Sequence, residues 1–333
     1  MTALKPKTQA PPSPLDTLAA MLGPDMRAVN DMIVARMQSS VPMIPQLAGY
    51  LVAAGGKRIR PLLTLAAAHI YNADMTRAYR LATAVEFIHS ATLLHDDVVD
   101  ESHERRGTPS ANAVFGNTAS VLVGDFLFSR AFQLMVEDGS LKTLKILSDA
   151  SAIIAEGEVL QLSTQNNLDT TMDDYLRVIE GKTAALFAAA CEVGPVMANA
   201  DSTAMRDYGL HLGMAFQIAD DVLDYRADRA KLGKAIGDDF REGKITAPIL
   251  FALAKATPQE RDFWVRTLGR KEQTDEDLTT AQNILARHDA IESGLSLARD
   301  YAARARTALK TAPDSPFSSL LADLAEFTVA REY

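Results

Sequence analysis

AYRLATAVEFIHSATLLHDDVVD, residues 78–100, decides how the chain is read. From Ala78 to Leu94 the segment is apolar on nearly every side, which marks a helix buried in a core rather than one resting on a surface. Acid follows at once, as Asp96, Asp97 and Asp100. At about 100° per residue, Asp96 and Asp100 lie one turn apart on one face, with Thr92 and His89 on the same stripe one and two turns earlier. The pattern recurs in MAFQIADDVLD at 214–224, where Gln217, Asp220 or Asp221, and Asp224 share a face.

A lone acidic triplet is commonly a solvated helix end. Two of them at the ends of apolar helices are harder to dismiss, because burying several carboxylates together is costly unless cations neutralise them. Oxygen-only ligands at this density suit a hard ion. Mg²⁺ takes one or two carboxylates and completes its shell with water and phosphate oxygens, so a diphosphate substrate is expected. Cationic anchors for it stand in short clusters: Lys57-Arg58-Ile59-Arg60, Arg105-Arg106-Gly107, Lys182, Lys234 and Lys244. Gly55-Gly56 would let the backbone approach a phosphate closely. Gly181-Lys182-Thr183 looks like the end of a P-loop, but Leu176 stands where its first glycine would fall. Glu86-x-x-His89 has the spacing of ferritin-like di-metal helices, yet those need a second copy and the sequence has none.

Around these motifs the chain is Ala- and Leu-rich, with apolar residues three and four apart. It breaks at SSVPMIP (39–45), GGKRIRP (55–61), RRGTPSAN (105–112) and NNLDTTM (166–172). No run of alternating β-branched residues interrupts the helical period, so strands are not expected. Thr257-Pro258-Gln259-Glu260 reads as a helix start, with a capping threonine, proline at the first position and glutamate three residues after the cap. The segment 228–245 is polar and lacks an apolar stripe, and is read as a surface loop between two apolar helices.

The 333 residues, 47% hydrophobic and 23% charged, are ordinary globular composition. An excess of 43 acidic over 34 basic residues argues against nucleic acid or an anionic membrane as the main partner. Apolar stretches such as Thr183–Cys191 and Pro248–Ala254 fall short of the roughly 20 residues that cross a bilayer, so no transmembrane segment is expected. Residues 1–15 read as a disordered Pro-rich arm with neither a secretory nor an organellar pattern, and 16–333 as the catalytic domain. The one cysteine, Cys191, sits in an apolar run and reads as a buried free thiol, which fits a reducing cytoplasm.

GGKRIRP at 55–61, FIHSATLLHDDVVDESHERRG at 87–107, GKT at 181–183, FQIADDVLDY at 216–225 and GKAIGDDFREGK at 233–244 together resemble the trans-polyprenyl diphosphate synthases. The resemblance implies an all-α fold: a single domain of largely antiparallel helices around a deep central cavity, the isoprenoid synthase fold, paired as a homodimer. It implies that Asp96 and Asp100 hold two Mg²⁺ ions with Asp97 assisting, and that Asp220 and Asp224 serve a third, with Asp221 beside them. Arg105, Lys182, Thr183, Gln217, Lys234 and Lys244 match positions that grip an allylic diphosphate such as farnesyl diphosphate. Lys57, Arg60, His89 and Arg106 match those that hold isopentenyl diphosphate. The implied chemistry is ionisation of the allylic diphosphate, attack by the isopentenyl double bond and loss of a proton to the released diphosphate. Ile245 and Ala247, where the family often has Pro and Leu, are packing positions.

In short-chain members an aromatic residue four or five positions before the first aspartate closes the product tunnel. Here those positions are Thr92 and Ala91, and a small pair implies a long product. With VLVGDFLFSRAFQLM at 121–135, the string is similar to bacterial octaprenyl and decaprenyl diphosphate synthases, which make the ubiquinone side chain. The alternatives are a short-chain farnesyl or geranylgeranyl diphosphate synthase, a class I terpene cyclase, which needs no isopentenyl site, and a non-catalytic regulatory subunit, which would have lost metal ligands.

Overall fold

Ser13 starts the first helix: its hydroxyl accepts from the Asp16 N–H, and the Asp16 carboxylate accepts from the Ser13 N–H in return. Helix α1 (Pro14–Met21) thus begins two residues before the expected boundary at 16, with Leu15 already buried. The computed structural model describes residues 11–53, 56–105, 107–226 and 237–330. Gly55, Arg106 and Lys234 lie outside them.

Helices α2 (Gly23–Arg36), α3 (Met43–Ala53) and α4 (Ile59–Ile70) lead to α5 (Met75–Val99), capped by the Asp74 carboxylate, which accepts from the Thr76 N–H. Every residue of α5 from Leu81 to Ile88 is buried, the all-round burial that the sequence implies. At roughly 25 cal/mol per Å², each large apolar side chain buried there contributes about 1.5–3 kcal/mol.

After α5 the chain makes a small antiparallel hairpin, β1 (Glu104–Arg105) with β2 (Thr108–Pro109), turning at Gly107 with φ 75°. This corrects the expectation of no strands; two-residue strands are too short to display alternation. Helices α6 (Ala111–Phe115), α7 (Asn117–Asp138) and α8 (Leu141–Thr164) follow. By length and composition α7 could cross a membrane, although interspersed polar residues leave it without a long apolar run. One face of α7, including Val123, Leu127 and Leu134, is buried, and the helix packs along α5. Val121, Leu122 and Val136 are exposed.

Helix α9 (Met172–Ile179) runs through a π-helical turn, Glu180–Ala184, into α10 (Ala185–Met197), and α11 (Thr203–Arg226) returns alongside it. Then come α12 (Asp238–Glu242), α13 (Ala247–Leu253) and α14 (Pro258–Trp264), the last extended by a second π-turn at Val265–Gly269. Helices α15 (Asp277–Arg287), α16 (Ala290–Ala308) and α17 (Pro316–Ala330) complete the described chain.

The α14 start is the capping box expected at Thr257 and Glu260. Cys191 is fully buried, and burial pushes its thiol up. The reading of 228–245 as a surface loop needs correction in its second half: α12 is helical and Phe240 is buried against Trp264. Two apolar clusters result. One is built on α1–α8, α10, α17 and the first half of α11, with Ala305 of α16; the other surrounds Tyr175, Phe240 and Trp264.

Candidate active site

Both acidic motifs stand at the C-terminal ends of long helices, where the helix dipole repels them, so each needs cations or donors nearby. At the end of α5, Asp96 lies 3.4 Å from the Lys182 ammonium and Asp100 lies 3.2 Å from that of Lys244. The middle residue, Asp97, is turned inward and 2% exposed. Its carboxylate accepts from Arg105 Nε at 2.9 Å and Nη2 at 2.5 Å, while Asn112 donates to its backbone carbonyl. Arg105 stands on β1, where it pairs with Thr108 of β2. Asp97 and Arg105, expected in the site, are therefore tied to each other.

The end of α11 is arranged differently. Asp221 is buried; it accepts from the Tyr175 hydroxyl at 2.6 Å and the Gln217 amide at 2.7 Å. Burial pushes its carboxyl up to about 7 against those hydrogen bonds. Asp224 accepts from the N–H groups of Asp238 and Asp239, and so caps α12. Asp220 is half-buried and makes no hydrogen bond or ion pair among the described residues. Gln217 also accepts from the Thr183 hydroxyl at 2.8 Å, which links α11 to the π-turn.

Lys182 and Lys244 meet the α5 end from two sides. Lys182 projects from the π-turn, a local widening of the helix often found at functional sites. Gly157 on α8 and Gly181 make that placement possible: a Cβ on Gly157 would come within 2.6 Å of the Lys182 backbone nitrogen. The Lys182 ammonium donates to Glu158 at 2.7 Å. Burial opposes its charge, but Asp96 and Glu158 outweigh burial and hold it above its ordinary value. Burial, then the Asp96 charge, pushes Glu158 up to about 7. Lys244 pairs with Asp100 and Glu242; burial again opposes its charge, and Asp239 and Asp100 raise it well above normal. Burial and the neighbouring Asp224 carry the Asp239 carboxyl well above the usual range.

A cleft of about 100 Å³ opens between these groups, lined by Gln161, Tyr175, Lys182, Gln217, Asp221 and Lys244 among others. Glu158, Gln161, Tyr175 and Asp239 were not singled out in the sequence. Among the described residues no three acidic, His or Cys side chains converge into a ready-made metal cage. The donor set nevertheless fits Mg²⁺. It is oxygen-only, holds the unpartnered Asp220 and has lysines in reach of a phosphate, while the ion fills most of its shell from water and substrate.

The isopentenyl anchors form a second group at the start of α4. Arg60 Nη1 lies 3.1 Å from His89 Nε2, and its guanidinium sits 4.6 Å above the Phe187 ring. Lys57 borders a small apolar pocket with Phe187 and Phe216. Ala91 is fully buried on α5, and Thr92 is half-buried with its hydroxyl donating to the His89 carbonyl.

The chain is similar to known proteins over almost its whole length. Octaprenyl diphosphate synthase of Escherichia coli strain K12 is 44% identical over 324 residues, 96% of this chain and 99% of that protein. The crystal structure of a decaprenyl diphosphate synthase from Rhodobacter capsulatus superposes with a TM-score of 0.92 at 51% identity, covering 96% of this chain and all 100% of that one. A polyprenyl synthase from Caulobacter crescentus CB15, crystallised with calcium and isoprenyl diphosphate, gives 0.92 at 52% identity over 97% of this chain and 99% of its own. A family model described as Polyprenyl synthetase matches residues 41–285. With Lys182 and Lys244 set against the α5 aspartates beside a second aspartate-bearing helix end, and a relative this similar over its whole length, the chain belongs to the polyprenyl synthetase family.

Proposed function

We propose that the chain is a long-chain trans-polyprenyl diphosphate synthase. It adds isopentenyl diphosphate repeatedly to an allylic diphosphate such as farnesyl diphosphate, giving the octaprenyl or decaprenyl chain of the ubiquinone side chain. The observation that carries this reading is the pairing of Asp96 with Lys182 and of Asp100 with Lys244, which sets carboxylates for cations beside two ammonium groups that line the cleft.

Asp96 and Asp100 would hold two Mg²⁺ ions, and Asp220 with Asp224 a third. When bound, the ions neutralise the diphosphate and stabilise it as a leaving group. Lys182 and Lys244, both held charged by their acidic neighbours, are placed to turn from those carboxylates to the departing diphosphate. Lys234 and Arg106, outside the described residues, are assigned to the allylic and isopentenyl diphosphates by resemblance. Thr183 and Gln217 fix the wall between the π-turn and α11. Lys57, Arg60 and His89 hold the second diphosphate so that its double bond meets the allylic carbon. Ala91 and Thr92 leave the α5 wall without bulk, which favours a long product.

The names of the relatives support the long-chain reading. We further propose a homodimer formed through the exposed apolar residues Val121, Leu122 and Val136 of α7 and Val159 and Leu162 of α8, and a cytoplasmic location, in keeping with the free Cys191 thiol.

The test is to incubate the purified protein with Mg²⁺, farnesyl diphosphate and labelled isopentenyl diphosphate, and to size the products after removal of the diphosphate. Chains of about eight to ten isoprene units are expected from the small pair on α5. Chains of three or four would leave the chemistry and overturn the long-chain reading, and no incorporation would favour a cyclase or a regulatory subunit. Ala91→Phe is expected to shorten the product while sparing the first condensation; an unchanged length would place the tunnel floor elsewhere.

A further inference from the structure

The Glu86-x-x-His89 spacing, rejected as a metal motif, has a different use in the fold. Both side chains project from α5 toward the start of α4, where they form two rungs: Glu86 with Arg58, and His89 with Arg60. Glu86 is a carboxylate with 7% exposure on an otherwise apolar stretch, and Arg58 is its ion-pair partner. Such a carboxylate stays charged in the core only if its cation is held in place.

Arg58 is itself unusual. It has φ 49° and ψ 38°, the left-handed region that a long side chain seldom adopts, and it does so at the N-cap of α4 with no side-chain cap. Lys57 stands immediately before it and Arg60 two residues after, the pair assigned to isopentenyl diphosphate. A left-handed residue between them reverses the backbone direction, so their mutual orientation depends on Arg58 keeping that conformation.

We propose that Glu86 is a positioning residue for the isopentenyl diphosphate site. By gripping the Arg58 guanidinium it holds the backbone at 58 in the left-handed conformation, and so aims Lys57 and Arg60 at one diphosphate. Glu86 touches no substrate. This inference rests on the proposed function for its kinetic consequence, although its structural core, the clamp on Arg58, does not.

Two measurements test it. First, Glu86→Gln should raise KM for isopentenyl diphosphate about tenfold, with KM for farnesyl diphosphate within about twofold of the parent. Adding Arg58→Gly, since glycine takes a positive φ without strain, should recover most of that loss. Equal increases in both KM values, or a lower melting temperature with both KM values unchanged, would reduce Glu86 to a fold-stabilising role and overturn the proposal. Second, the crystal structure of Glu86→Gln should show Arg58 relaxed to negative φ. A retained positive φ would sink the clamp. If the parent protein incorporates no isopentenyl diphosphate, the proposed function fails, and the crystal structure still decides whether the clamp exists.

Discussion

The two aspartate motifs read almost alike, HDDVVD and ADDVLD, yet the hydrogen bonds described for them differ in kind. At the end of α5 every aspartate faces a cation: Lys182, Arg105 and Lys244 in turn. At the end of α11 the described partners are neutral donors: the Tyr175 hydroxyl and Gln217 amide on Asp221, and two backbone N–H groups on Asp224. The first motif thus meets a cation at each aspartate before anything binds. The second has a buried carboxyl pushed up to about 7, close to protonation at neutral pH, and gains most from an arriving cation. A shared pattern in sequence fixes the face of a helix, and the neighbouring elements fix the charge on it.

The largest effects should fall on turnover and should not distinguish the two ends. Asp96→Ala and Asp224→Ala are each expected to lower kcat by about 10³-fold or more with the far-ultraviolet circular dichroism unchanged, and near-normal turnover in either would refute its metal assignment. Stability should separate them. Arg105→Met strands the buried Asp97 charge and is expected to cost about 3–5 kcal/mol in denaturant unfolding. Asp221→Asn keeps neutral partners around a neutral group and should stay within about 1 kcal/mol. Comparable losses from both would erase the contrast.

The smallest effect is a pH dependence. Asp221 holds its proton in the folded metal-free protein up to about 7 but loses it near 3.8 when unfolded, so stability should fall as pH rises through that window. Glu260 does the reverse. The Thr257 N–H, with His288, lowers its carboxyl from 4.5 to about 2, so its contribution is present above 4.5 and fades as pH drops toward 2. Melting temperatures followed against pH should show the neutral limb flattened by Asp221→Asn and the acid limb by Glu260→Gln. Unchanged limbs would remove either group from the account.

What could be read from sequence follows from range. Helical period, the capping box at Thr257 and the buried character of 81–88 are local, and the aspartates announce themselves by standing after apolar runs. Glu158 carries no such mark: it lies two residues from the exposed Glu156, and only the approach of the π-turn makes it part of the site. Tyr175 and Asp239 enter in the same way, from segments whose local sequence looks unremarkable. Helix α12 is five residues long, too short for an apolar stripe, so the burial of Phe240 depends on Trp264 far along the chain. The inward turn of Asp97 likewise depends on a hairpin of two-residue strands.

The π-turn at 180–184 is, in genetic terms, one amino acid too many for a regular helix. Its excision would be the simplest lesion to make and one of the hardest to repair by substitution. Removing one residue there would let α9 and α10 fuse into a continuous helix that keeps nearly the same outer faces but loses the widening from which Lys182 projects. Lys182 would then lose its approach to Glu158, while α10 kept its face toward α4. Reading frame kept, composition nearly untouched and fold class intact, such a deletion would still misalign the site, so the spacing between Tyr175 and Lys182 should tolerate exchanges of residue type far better than changes of length.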